Sequence, residues 1–408
     1  MAPPFPFKII EHTIPAQHIR EHPHGINGRQ EAILQLAIKQ YVPLDRPDPI
    51  PNNAVTIIGA HGTGIPKEVY EPLWEDLHAQ LKKQAIPIRG IWIADVSNQG
   101  ASGVLNEYIQ GDNTHWFDHS RDLLHMTNHF RDEMPRPIIG IAHSMGCAQL
   151  IHLTTMHPRL LSTLILYEPV ILDIPKAAKA TPNRAPNPSL PAILRPDLWA
   201  TRAKAEAYFA RALRKWDPRA RDRYIRYGLR SLPTRLYPET TDTSTPTPTP
   251  TTATDTNSTE TTLATTKHHE AWSFSIPNLE PQSAGLGHLL LPDWDREVER
   301  PVMFSRPECL AAMRELPFVR PSVLWVFAER SYLSGVAAQE RKMEVTGTGV
   351  GGSGGAKEGR VKKMVLEKGG HMLVVEEVGW KSDGEMVRSS EVGVAVMRMG
   401  RGVERGKL

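Results

Sequence analysis

Apolar and polar positions along the chain fall into two alternating rhythms. Ile33–Val42 partly alternates, as a strand with one exposed face does, and 54–59 (Ala-Val-Thr-Ile-Ile-Gly) is an apolar run suited to a buried strand. Ile88–Val96, 137–142 and Leu161–Tyr167 read the same way. Between them apolar residues recur at helical spacing: Leu73, Leu77 and Leu81 within Tyr70–Lys83, then Leu123, Met126 and Phe130 within Phe117–Met134, which Pro135 stops. A further helix covers Cys147–Met156. Strands alternating with helices predict a parallel sheet covered on both faces. After Glu168 the alternation lapses, through a span with a helical stretch at Leu198–Trp216, and returns at Ser322–Phe327 and Val361–Leu366. The expected architecture is an α/β core made of 1–170 and 321–408, interrupted after the sixth strand by a mainly helical cap over 171–320.

Composition narrows this picture. With 40% hydrophobic residues among 408, a sizeable core is affordable and wholesale disorder is excluded. A net charge of +3 leaves no electrostatic footprint for nucleic acid, so no nucleic-acid partner is expected. No apolar run approaches the roughly 18 residues of a membrane span, and the N-terminus lacks a secretory pattern, so no stable membrane insertion is expected. Cys147 and Cys309 form neither a disulfide scaffold nor a metal spacing, which fits a soluble protein of a reducing compartment. The Thr-dominated run Thr241–Thr266 reads as a disordered insertion, and the Gly-rich run Thr346–Gly359 as a flexible loop without a phosphate-binding signature.

The chemistry gathers at 140–146 (Gly-Ile-Ala-His-Ser-Met-Gly). Small residues at Ala142 and Gly146 flank Ser144 between a strand and a helix, the setting of a tight elbow that lifts a nucleophilic hydroxyl to a helix N-terminus. In such a site the acid and then the base follow the serine in the chain. Among the later histidines (His152, His157, His268, His269, His288 and His371), His371 alone sits just beyond a late strand, in a Gly-Gly turn, and is the expected general base. The oxyanion would be held by the amide of Met145 and by Thr63, with Gly64 the alternative, in the loop after the third strand. The expected acid is Glu168 after the sixth strand, because Ser331 occupies the usual place after the seventh; Glu329 is the second candidate and Asp173 the third. His115, His119, His125 and His129 lack a metal-site pattern, and neither metal nor cofactor is expected.

These stretches, together with 67–76 (Lys-Glu-Val-Tyr-Glu-Pro-Leu-Trp-Glu-Asp), 90–95, 119–125 and, in the cap, 195–199 and 216–219, resemble the α/β-hydrolase superfamily. Within it the chain is similar to a fungal group that includes the AK-toxin biosynthesis hydrolases and the yeast peroxisomal lipase. The resemblance implies an α/β-hydrolase fold with Ser144 as nucleophile and His371 as base. Group members carry Asp where this chain has Glu168, which keeps the carboxylate on a longer stem. The resemblance also gives meaning to the terminal Gly406-Lys407-Leu408, a variant of the Ser-Lys-Leu address read by the peroxisomal import receptor. The alternatives are a weak signal or a plain basic tail, hence a peroxisomal or cytoplasmic location. The expected activity is cofactor-independent hydrolysis of an ester, thioester or lactone with an apolar acyl part. A lyase on the same triad and a catalytically silent binding protein are the rival readings.

Overall fold

The computed structural model describes residues 4–173, 188–238, 260–277, 303–333 and 335–376, with 380–382 and 385–387. The Gly-, Val- and Met-rich stretch Gly393–Gly400, His288 and the terminal tripeptide lie outside the described residues. Eight strands make the central sheet: β1 (Phe7–Pro15), β2 (Gln35–Pro43), β3 (Val55–Ala60), β4 (Ile88–Ala94), β5 (Ile138–His143), β6 (Thr163–Tyr167), β7 (Ser322–Ala328) and β8 (Val361–Leu366). Their spatial order is β1-β2-β4-β3-β5-β6-β7-β8. Only β1–β2 and β2–β4 are antiparallel; β4 to β8 run parallel.

The apolar runs of β3, β5 and β6 are buried along their whole lengths, as strands covered on both faces must be. Successive side chains go to opposite faces. Ile57, Ile139 and Ile165 pack under helix α1 (Glu71–Lys83), through its Leu73, Trp74, Leu77 and Leu81. On the other face Ile58, Ile138 and Leu164 meet α3 (Trp116–His129) and α4 (Met145–Met156). The short helix α2 (Gly100–Leu105) follows β4.

The insertion after β6 is more mixed than expected. The stretch read as one helix from 198 to 216 is a two-residue strand, Leu198–Trp199, then α6 (Arg202–Ala212), and α7 (Pro218–Tyr227) begins only afterwards. Thr201 caps α6 and Asp217 caps α7 by accepting backbone N–H bonds, so each side chain opens its own helix. Helices α5 (Ser189–Leu194) and α8 (Lys267–Phe274) complete the cap. The next helix, α9 (Pro307–Glu315), packs on α4 and puts Cys309, Ala312 and Met313 into the core, so the end of the inserted span returns to the core layer. Leu172 N–H donates to the Cys309 carbonyl at 3.2 Å, joining the span's two ends.

Two compositional readings are corrected. Residues 241–259 of the Thr-rich run lie outside the described residues, but at its end Thr261–Leu263 is the central strand of a three-stranded sheet with Leu198–Trp199 and Leu229–Ser231, and all three residues are buried. Partner strands satisfy its backbone, which composition cannot reveal. The Gly-rich run 346–359, which follows α10 (Val336–Val345), is pinned rather than loose. Gly347 N–H donates to Leu316 O, Gly349 N–H to Pro317 O and Ser353 N–H to Val319 O. Its left-handed turns, at Gly347, Gly351, Gly354, Gly355 and Gly359, require glycine. No described helix is long and apolar enough to cross a membrane. Leu263→Asp would bury an unpaired charge in the cap sheet and is expected to lower stability by about 3 kcal/mol or more. An unchanged thermal midpoint would contradict the buried strand.

Candidate active site

β5 ends at His143 and α4 begins at Met145, leaving Ser144 alone to reverse the chain. It does so at φ 56°, a left-handed conformation that costs a non-glycine residue on the order of 1–2 kcal/mol. The neighbours hold it there: Ser144 N–H donates to Tyr167 O at 2.9 Å, and Ser144 O accepts from Cys147 N–H and Val170 N–H. Gly146 has no room for a Cβ, which would overlap the Ala60 carbonyl. This close approach explains the small residue two places after the serine.

The bond from Ser144 to Tyr167 also sets the next turn. Glu168, at φ 48°, donates its N–H to Val326 O at 2.8 Å, while its Oε1 accepts from Ala328 N–H at 2.5 Å. Its Oε2 then lies 3.3 Å from His371 Nδ1, and His371 Nε2 lies 2.9 Å from Ser144 Oγ. Ser144, His371 and Glu168 thus stand in one line, with Glu168 and Ser144 buried and His371 partly open. The longer glutamate stem lets one oxygen hold the β7 backbone while the other faces the imidazole. Glu329 is exposed and accepts the Lys368 N–H at 2.8 Å, bracing the histidine loop instead of contacting the ring. Asp173 is exposed beyond the turn. The left-handed residue of that loop is Lys368, at φ 60°, and neither Gly369 nor Gly370 has a forbidden Cβ position.

The loop after β3 brings Thr63 against Met145, with Thr63 Oγ1 3.4 Å from the Met145 sulfur. The N–H of Gly64, the alternative amide, donates to Gln99 Oε1 at 2.7 Å. A Cβ on Gly64 would fall 2.7 Å from the Glu270 carboxyl carbon, so the cap closes directly over this loop. Glu270 is paired with Arg195, and both border a cavity of about 610 Å³ lined by Pro191, Ala192, Phe274 and Tyr332. Tyr332, one of the lining residues, has its ring 5.8 Å from that of His371; neither His371 nor Ser144 lines the cavity itself. Sequence reasoning missed Tyr70, Gln99 and Glu270, and read His143 only as elbow spacing; no local pattern distinguishes them. Asp95 shapes the turn after β4: it pairs with Lys67 at 2.7 Å and accepts the Ala101 N–H.

Several buried imidazoles are held neutral. Burial pushes His143 down to about 3 and His115 to about 4, and lowers His61 and His119 as well. Because their folded values lie below the unfolded value of roughly 6.5, the unfolded chain binds more protons between them, and stability is lost as pH falls below that value. Asp118, raised by burial to about 6, opposes the trend in acid, as do Asp122 and Glu75, also raised by burial; His22 and His269, lowered by burial, add to it. The unfolding midpoint is expected to drop between pH 7 and pH 5; a flat midpoint across that range would contradict neutral burial.

Comparison with known proteins agrees with this architecture. The model of the Alpha/beta hydrolase family matches residues 57–378. A protein named type I acyl-CoA thioesterase mpaH from Penicillium roqueforti is 38% identical over 378 residues, covering 91% of this chain and 85% of that one. A second of that type, mpaH' from Penicillium brevicompactum, is 39% identical over 377 residues, with 91% and 85% covered. Among solved structures, the peroxisomal alpha-beta-hydrolase Lpx1 of Saccharomyces cerevisiae superposes with a TM-score of 0.66 at 17% identity, covering 98% of this chain and 88% of that one, which is a likeness of fold. By the extent of the family match and of these sequence relatives, the chain belongs to the alpha/beta hydrolase family.

Proposed function

We propose that the chain is a serine hydrolase of acyl thioesters, with Ser144 as nucleophile, His371 as base and Glu168 as the acid that orients it. The observation that carries this reading is the Glu168–His371–Ser144 line, with its 3.3 Å and 2.9 Å separations. His371 Nδ1–H donates to Glu168, which leaves Nε2 unprotonated to accept the Ser144 proton as Oγ attacks the carbonyl. The amides of Thr63 and Met145 hold the oxyanion, and collapse of the tetrahedral adduct expels the thiol, which takes its proton from His371 Nε2. Water, deprotonated by the same imidazole, then releases the acid from Ser144. The thioester choice rests on the two Penicillium relatives and their names. The cap cavity that shares Tyr332 with the surroundings of His371 is of a size for a small-molecule acyl group, and its lining is mostly apolar. Glu168 beside His371 speaks against a silent binding protein, which has no need of an oriented base.

Wild type is expected to be labelled by a fluorophosphonate and to release free thiol from acyl-CoA substrates, with both lost in Ser144→Ala. Glu168→Gln should lower kcat/KM by about 10²–10⁴-fold, whereas Glu329→Gln should stay within about fivefold. An unlabelled wild type would sink the hydrolase reading; esters cleaved but no thioester would sink the substrate class. For location we propose a weak peroxisomal address at Gly406-Lys407-Leu408. A fluorescent fusion that enters peroxisomes equally well without those three residues would refute it.

A further inference from the structure

Behind Ser144, a buried path of hydrogen bonds joins the loop of Thr63 to the loop of His371. Gly62 N–H lies 2.8 Å from Tyr70 Oη, Tyr70 Oη lies 2.9 Å from His143 Nδ1, and His143 Nε2 lies 2.9 Å from the His371 carbonyl oxygen. The two ends dictate every proton between them. A backbone N–H can only donate, so Tyr70 Oη accepts from Gly62 and directs its own proton to His143 Nδ1. A carbonyl can only accept, so His143 Nε2 carries the ring proton. The imidazole is neutral, since burial and the nearby His371 push it down to about 3, and burial raises the Tyr70 phenol, which keeps its proton. The path has one polarity throughout: Gly62 N–H to Tyr70, Tyr70 O–H to His143, His143 Nε2–H to the His371 carbonyl.

We propose that Tyr70 and His143 are positioning residues that lock the loop presenting the Thr63 amide to the loop presenting the His371 imidazole, so that oxyanion donor and base keep one spacing through the reaction. Three further observations place the path where this matters. Gly62 immediately precedes Thr63, and its Cα packs so closely on His143 that a Cβ would stand 2.8 Å from Nδ1. His143 adjoins Ser144 in the chain, and its ring lies 5.2 Å from that of His371. Tyr70 is 3% exposed and His143 is 1%, so solvent offers no substitute partner. Electrostatic stabilisation of an oxyanion depends on donors held in advance, and small displacements of the donor or the base are costly in the transition state while leaving ground-state binding nearly untouched.

This inference rests on the Ser144–His371–Glu168 reading and is tested on the full-length chain with an acyl-CoA thioester and a fluorophosphonate. Tyr70→Phe is expected to lower kcat by about 10–100-fold with KM within about twofold, and to slow fluorophosphonate labelling in parallel. His143→Gln offers one acceptor and one donor to the same partners and should retain most of kcat, whereas His143→Leu should fall as Tyr70→Phe does. A Tyr70→Phe enzyme with wild-type kcat, or a His143→Gln enzyme no better than His143→Leu at equal folded fraction, would overturn the brace. Should Tyr70→Phe fail to fold, the His143 pair decides alone. A wild type that fluorophosphonate does not label is a different failure, that of the hydrolase reading itself.

Discussion

The reversal of the chain at Ser144 is the constraint on which the site depends. A left-handed residue between a buried strand and a buried helix is unfavourable in isolation. It persists because the Tyr167 carbonyl takes the Ser144 N–H and because Gly146 lets the helix approach Ala60. The bond to Tyr167 ties the elbow to the end of β6, so Glu168 emerges at a position set by the serine turn itself. The spacing of Ser144 and Glu168 is thereby inherited from the adjacent parallel strands β5 and β6, while His371 comes from the loop after β8, two strands further along the sheet.

The cap is fastened to this frame by apolar packing, with Trp216, Ala220 and Tyr224 in the same buried cluster as α1, and by ion pairs. Arg223 pairs with Glu71, Arg219 with Glu75 and Asp76, and Arg230 with Glu107. Hydrogen bonds from Gly100 N–H to Thr265 and from Gln99 to Ser273 join the cap to the loop after β4. Gln99 serves twice, since its carbonyl also takes the Gly64 N–H. Cap position and the shape of the Thr63 loop are therefore coupled through one side chain.

Much of the fold was legible because its signals are local. Buried parallel strands must be apolar runs, so β3, β5, β6 and β7 stood out, and their alternation with helices announced the sheet. Ser144 and His371 were legible for the same reason, each carried by a short motif at the end of a strand. The cap was read less well. Thr201 and Asp217 divide what periodicity joins, and Thr261–Leu263 is a strand only because neighbours supply its hydrogen bonds. Composition speaks for a segment alone and cannot count partners distant in the chain.

The sequence by itself determined the layered α/β core, the elbow and the residue types that meet there, since these follow from periodicity and from backbone demands within a few residues. Which carboxylate faces His371 was a tertiary matter. Glu168 and Glu329 both follow strands that border the site, but only Glu168 is turned inward, by the Val326 carbonyl and the Ala328 amide, while Glu329 is drawn to the Lys368 amide. Likewise the Gly64 amide is drawn to Gln99, and the Gly62 amide to Tyr70, which in turn meets His143. A hydrogen bond between residues far apart in the chain depends on where packing places both ends, and neither end carries that information alone.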